Sequence, residues 1–199
     1  MRPCRICALA LGFTAAAAAD SNLPRPPVTV VLQFEGPHSA RSIDEMKREY
    51  ERATRGYVPV SWQMRDQMSG DTAGDLVLVT FKGRCVMDPV PPPVYDETGP
   101  LAWTSTVDGA PLPFGQVSCD QVRSLVQKAM WGGDFAHGDL LFGRALGRVL
   151  AHELYHMLAR TISHGSTGVT RPALTGAQLI SPSLTVDDES LERMEHEHR

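Results

Sequence analysis

The chain has 199 residues, with 19 Lys+Arg against 23 Asp+Glu for a net charge of −4, and 42% of its residues are hydrophobic. These are globular proportions, not those of a coiled coil, collagen or a disordered tail, and the acidic balance argues against the basic face of a nucleic-acid binder. No apolar run reaches the roughly 18 residues needed to span a bilayer.

Residues 1–19 read as a secretory leader: Arg2 and Arg5, an apolar stretch over 6–19, and small residues at 15–19 that suit cleavage after Ala19. Cys4 and Cys7 leave with it, and the expected mature charge becomes −4 − 2 = −6. Two cysteines then remain, Cys85 and Cys119. In an oxidising compartment such a pair is expected to be bridged, with two buried free thiols as the alternative. A flexible lead-in over 20–27, one domain over 28–185 and a charged tail over 186–199 complete the expected organisation. The corresponding location is secreted or periplasmic, and the expected state is a monomer.

Residues 28–34 (VTVVLQF) are β-branched and apolar, and predict a buried strand. Ser42-Ile-Asp-Glu45 has the form of a capping box and predicts a helix from there to Arg55, stopped by Gly56. A second strand is expected over 58–64, with Pro59 placing it at an edge or a strand start. Residues 66–75 read as a loop and 76–81 (LVLVTF) as the strongest strand. The prolines of 90–93 demand extended backbone. Residues 101–107 alternate and run into Asp108-Gly109, a hairpin signal, with 114–117 as the return strand. A helix over 120–130 is capped by Ser118 or Asp120, and a loop at 131–134 follows. A long helix then covers 139–160 with Asp139 as N-cap, and Gly143 and Gly147 form a flat face on it. Beyond it a short helix near 175–180 is expected, and 187–199 reads as a frayed terminal helix or a charged tail. The fold class is therefore α+β: a mixed sheet of four to five strands packed on two to three helices.

The chemistry-bearing feature is His152-Glu153-Leu154-Tyr155-His156. Residues i and i+4 stand one above the other on a helix, so both imidazoles can reach one metal ion. Zinc accepts such nitrogens at about 2.0–2.1 Å and keeps an open position in catalytic sites. Glu153 is then placed to act as general base. With seven His and ten Glu in the chain, chance yields this pattern about once in a hundred such chains. Moreover, Leu146, Val149, Leu150, Met157 and Leu158 surround it, where unpartnered polar groups would be costly. His164 is the leading third ligand, eight residues past His156, with Glu189 and Glu192 as rivals and His137, His196 and His198 as weaker ones. Tyr155 either assists an oxyanion or, more simply, packs in the core.

His152-Glu153-x-x-His156 with His164 resembles the zincin metallopeptidases, and is closest to metzincin-like secreted bacterial proteins that read HExxH-x7-H. Those continue to a Gly-Ile-Met near a turn; Gly168-Val169-Thr170 occupies that place here, with Thr170 at the methionine position. The common metzincin spacing would put Gly and the third His at Ala159 and Ile162. The resemblance implies a zincin/metzincin-like core with its active-site helix over about 139–160. It further implies one catalytic Zn2+ on His152, His156 and His164, Glu153 as catalytic base, and endopeptidase action on peptide or protein substrates. Residues 101–107 would be the edge strand above the cleft, or else an ordinary outer strand. The alternative is a secreted metal-binding interaction domain without catalysis, and hydrolysis of a non-peptide amide would use the same residues.

Overall fold

The computed structural model describes residues 27–68, 75–88 and 99–197. The expected leader and most of the lead-in, the prolines of 90–93, most of the loop at 66–75 and His198 lie outside these residues. Five strands, β1 (Val28–Phe34), β2 (Val60–Met64), β3 (Leu76–Lys82), β4 (Ala102–Val107) and β5 (Ala110–Ser118), form one mixed sheet in the order β2-β1-β3-β5-β4. The pairs β1–β2, β1–β3 and β3–β5 are parallel, and β4–β5 is antiparallel. Among the described residues, five α-helices accompany the sheet: α1 (Ala40–Ala53), α2 (Cys119–Ala129), α3 (Gly138–Leu158), α4 (Gly176–Ile180) and α5 (Asp188–Glu197). The α+β class and the five-stranded mixed sheet are as the sequence pattern implies. No helix among the described residues is long and apolar enough to cross a membrane.

The apolar runs form the core strands for the expected reason. Val28, Val30 and Leu32 of β1 and Val77, Val79 and Phe81 of β3 are buried together with Met46 and Tyr50 of α1 and Leu146, Leu150 and Leu154 of α3. Asp108 and Gly109 both take positive φ, which is what a two-residue hairpin turn between β4 and β5 requires. β2 is an edge strand, and Pro59 immediately precedes it. The Cys85–Cys119 disulfide is formed, tying the segment after β3 to the start of α2.

Two capping expectations are corrected. The cap of α1 is Ser39, whose hydroxyl accepts from the Ser42 amide, rather than Ser42 itself. Ser42 instead donates to Asp139, and Glu45 pairs with Arg48 and Arg52. Asp139 is thus spent on a contact between helices; His137 occupies the N-cap of α3, with no side-chain cap. At α3 a long-range partner has taken the place of local capping, whereas at α1 the local cap stands three residues earlier than the sequence pattern suggests. Of the two readings of the C-terminal stretch the helical one holds: Asp188–Glu197 is α5, and it is docked rather than frayed, with Leu191 and Met194 completely buried.

Two features fix where α3 lies. At Gly143 an added Cβ would stand 2.5 Å from the Ser42 carbonyl oxygen, and at Gly147 one would stand 2.6 Å from both the Met46 carbonyl oxygen and Glu49 Cβ. The two glycines let α1 press onto α3 backbone to backbone, which outweighs their propensity cost of about 1 kcal/mol each. Arg148, fully buried next to Gly147, pairs with Glu49 at 2.6 Å and donates to the carbonyls of Gln178 and Ser181. The helix is therefore held on one side by α1 and on the other by the segment after α4.

Candidate metal centre

The last two turns of α3 carry His152, Glu153 and His156. Beyond the helix the chain turns at Arg160, whose φ is positive, and brings His164 back over the same helix face. One ligand atom from each of His152, His156 and His164 lies within 4.8 Å of the others, and among the described residues this is the one such group of His, Cys, Asp or Glu. The sequence's leading third ligand is thus the one the fold brings in. Glu189 pairs with Arg193 on α5, His196 lies beside Glu197, Glu192 is outside the cluster, and His137 sits at the far end of α3.

Hydrogen bonds settle how the first two imidazoles face. His152 Nδ1 lies 2.9 Å from the Val169 carbonyl oxygen, and His156 Nδ1 lies 2.7 Å from the Thr161 carbonyl oxygen. A carbonyl only accepts, so each Nδ1 carries the proton and each Nε2 presents a lone pair. The two Nε2 atoms face each other at 3.1 Å. Two lone pairs at that distance repel, and a shared cation removes the conflict. Tetrahedral zinc with bonds of about 2.0–2.1 Å places neighbouring ligand nitrogens about 3.3–3.4 Å apart, close to the spacing present. Burial is the main cause that pushes His152 down to about 4, only partly offset by the Val169 bond, and burial lowers His156 as well. Both rings are neutral at pH 7, which is the metal-ligating form. The donor set therefore fits a divalent ion, and the two backbone carbonyls supply the orienting bonds such ligands need.

Glu153 is buried beside this cluster. The hydroxyl of Thr104, on β4, donates to Glu153 Oε2 at 2.6 Å. Burial pushes the Glu153 carboxyl up to about 7 despite that bond. A cleft of about 370 Å³ opens at His152 and Glu153, walled by Leu101 and Ala102 at the start of β4, Leu125 of α2, Val149 of α3 and Leu174. β4 is an outer strand of the sheet, and among the described residues one of its edges has no partner strand. Tyr155, by contrast, is buried, with its hydroxyl 3.4 Å from Arg193 of α5, and so occupies the core position that is the simpler of its two expected roles.

Thr104 carries no signal in the sequence that would mark it. Alternation puts it on the same face of β4 as Ala102, but only the packing of β4 over α3 turns that face towards Glu153. The same holds for Thr161 and Val169, which act through backbone oxygens that any residue type would provide. A search of protein-family models finds no match to this chain, and a search of curated proteins likewise finds none.

Proposed function

We propose that this chain is a secreted or periplasmic zinc-dependent endopeptidase, a reading in which His152, His156 and His164 hold the metal and Glu153 is the catalytic base. The observation that carries it is a buried carboxylate, held by Thr104, that lines the same open cleft as His152 of the three-imidazole cluster. Zinc on those imidazoles would supply Lewis-acid chemistry, polarising a carbonyl and bringing a water's pKa towards about 7. Glu153 accepts the proton of the attacking water and passes it to the leaving amine. A carboxyl near pH 7 suits both transfers, and a cation on the adjacent imidazoles favours its ionised form. Thr104 fixes which carboxylate oxygen stays bonded to the strand and which is left for the water. An extended peptide adds to the free edge of β4 through backbone hydrogen bonds, with one side chain entering the cleft beside His152.

Two further observations favour this reading. Desolvating the Glu153 carboxyl costs free energy that a purely structural metal site has no need to incur, and groups perturbed in this way cluster at functional sites. The Cys85–Cys119 bridge suits an oxidising compartment. The test is a peptidase assay on unstructured protein substrates with wild type and Glu153→Ala, both loaded with zinc. Cleavage that disappears in Glu153→Ala, with zinc retained, is expected. Equal cleavage by both proteins would refute the role of Glu153, and zinc binding without cleavage of any substrate would favour the metal-binding interaction domain.

A further inference from the structure

We infer that the C-terminal helix α5 is a positioning element for the metal centre, acting through Asp187, Ser190 and Thr170. The inference rests on the reading of His152, His156 and His164 as metal ligands.

The turn at 165–170 has two outputs. The Val169 carbonyl oxygen accepts from His152 Nδ1, and the Gly165 amide, next in chain to His164, donates to the Thr170 carbonyl oxygen at 2.9 Å. One ligand is oriented by this turn and another is attached to it. Thr170 is completely buried, and its hydroxyl donates to Asp187 Oδ2 at 2.8 Å. Ser190, on the first turn of α5, donates its hydroxyl to the same oxygen and its amide to Asp187 Oδ1, both at 2.9 Å. The carboxylate of Asp187 thus accepts three bonds, two from α5 and one from the turn. It caps α5 and holds Thr170 with the same group.

The segment that carries Asp187 is itself fixed. The Val186 amide donates to the Ala53 carbonyl oxygen at the end of α1, and the Val169 amide donates to the Thr185 carbonyl oxygen. Gly168 takes a φ of +63°, and a Cβ there would run into that Thr185 oxygen, so turn and segment lie flush. Leu191 and Met194 anchor α5 in the core, and Arg193 reaches Tyr155, the neighbour of His156. The path from α5 to the imidazoles is therefore a continuous set of bonds: Ser190, Asp187, Thr170, then the turn backbone to His152 and His164. A polar residue at 170 is needed for this path, because an apolar one would leave the Asp187 carboxylate bonded to α5 alone and cut its link to the turn.

The test compares wild type, Thr170→Val and Asp187→Ala with Val30→Ala, a core variant far from the turn that controls for lost stability. Zinc affinity is measured by competition with a chromophoric chelator, and the visible spectrum of each cobalt-substituted protein reports ligand geometry. Loss of such outer partners typically weakens metal affinity about 10–100-fold. A loss of that size in Thr170→Val and Asp187→Ala, with an altered cobalt spectrum and with Val30→Ala unchanged in both readouts, is expected. Wild-type affinity and spectrum in the two turn variants would overturn the inference while leaving the metal site standing. A loss matched by Val30→Ala would also overturn it. Failure of wild type to bind zinc would overturn the site reading and this inference with it.

Discussion

Thr104→Val removes one hydroxyl and keeps the shape of the side chain, and its effect is calculable. The lost bond is the 2.6 Å donation to Oε2 of the buried Glu153 side chain. A hydrogen bond to a charged group is worth about 1.5–3 kcal/mol, and each pKa unit corresponds to about 1.4 kcal/mol. The bond favours the ionised carboxylate, so removing it raises the pKa of Glu153 by roughly one to two units. The base must be ionised to act, so the acidic limb of the pH profile moves the same distance to higher pH. The assay is kcat/KM for a fluorogenic peptide across pH 5–9, with zinc content and melting temperature recorded for each protein. Thr104→Ser, which keeps the hydroxyl, should retain the wild-type limb. An unmoved limb in a zinc-replete Thr104→Val protein would refute the link between β4 and the base.

Further predictions concern the frame around the site. Gly147→Ala should destabilise the protein by about 1–3 kcal/mol in chemical denaturation, since its methyl meets Met46 and Glu49 of α1. Arg148→Ala should be destabilising in the same assay by up to about 3–5 kcal/mol, because it strips a fully buried partner from Glu49 and leaves that carboxylate to Arg52 alone. Reducing the Cys85–Cys119 bridge, which spans 34 residues, should cost about 4 kcal/mol by the chain-entropy relation, read from urea unfolding with and without reductant. In metal-free protein, the folded pKa of His152, about 4, lies below the unfolded value of about 6.5. Its contribution is therefore full above pH 6.5 and is lost as pH falls towards 4. Glu153, raised to about 7, has the opposite sign: its contribution is full below its unfolded pKa and is lost as pH rises to 7. Metal-free Glu153→Gln should therefore gain stability with rising pH between about 4.5 and 6.5 more steeply than wild type, as thermal melts in chelator would record.

The parts of this fold that were legible in the sequence are those encoded by short-range pattern. The run VTVVLQF forms β1 over the expected residues, Asp108-Gly109 makes the hairpin, and the i, i+4 histidines share one helix face because helical geometry leaves them no other arrangement. His164 was legible because a ligand eight residues on needs only one turn of chain. What escaped is non-local. Ser42 and Asp139 looked like caps but bond to each other across 97 residues, and Thr104 meets Glu153 across 49. The stretch from Asp188 reads as a frayed helix or a charged tail by composition, since Leu191 and Met194 are its only apolar side chains up to Glu197; both are buried against the body of the fold. A hydrophobic pair three residues apart is enough for one docked face, but too little to distinguish a docked helix from a solvated one without its partner surface.

The most direct measurement is zinc content per chain, by elemental analysis, for the purified protein and for His164→Ala and Glu153→Ala. One zinc per chain in wild type, lost in His164→Ala and kept in Glu153→Ala, is the expected result. Wild-type protein that takes up no zinc even when it is supplied, or His164→Ala protein that keeps it fully, would contradict the three-histidine centre.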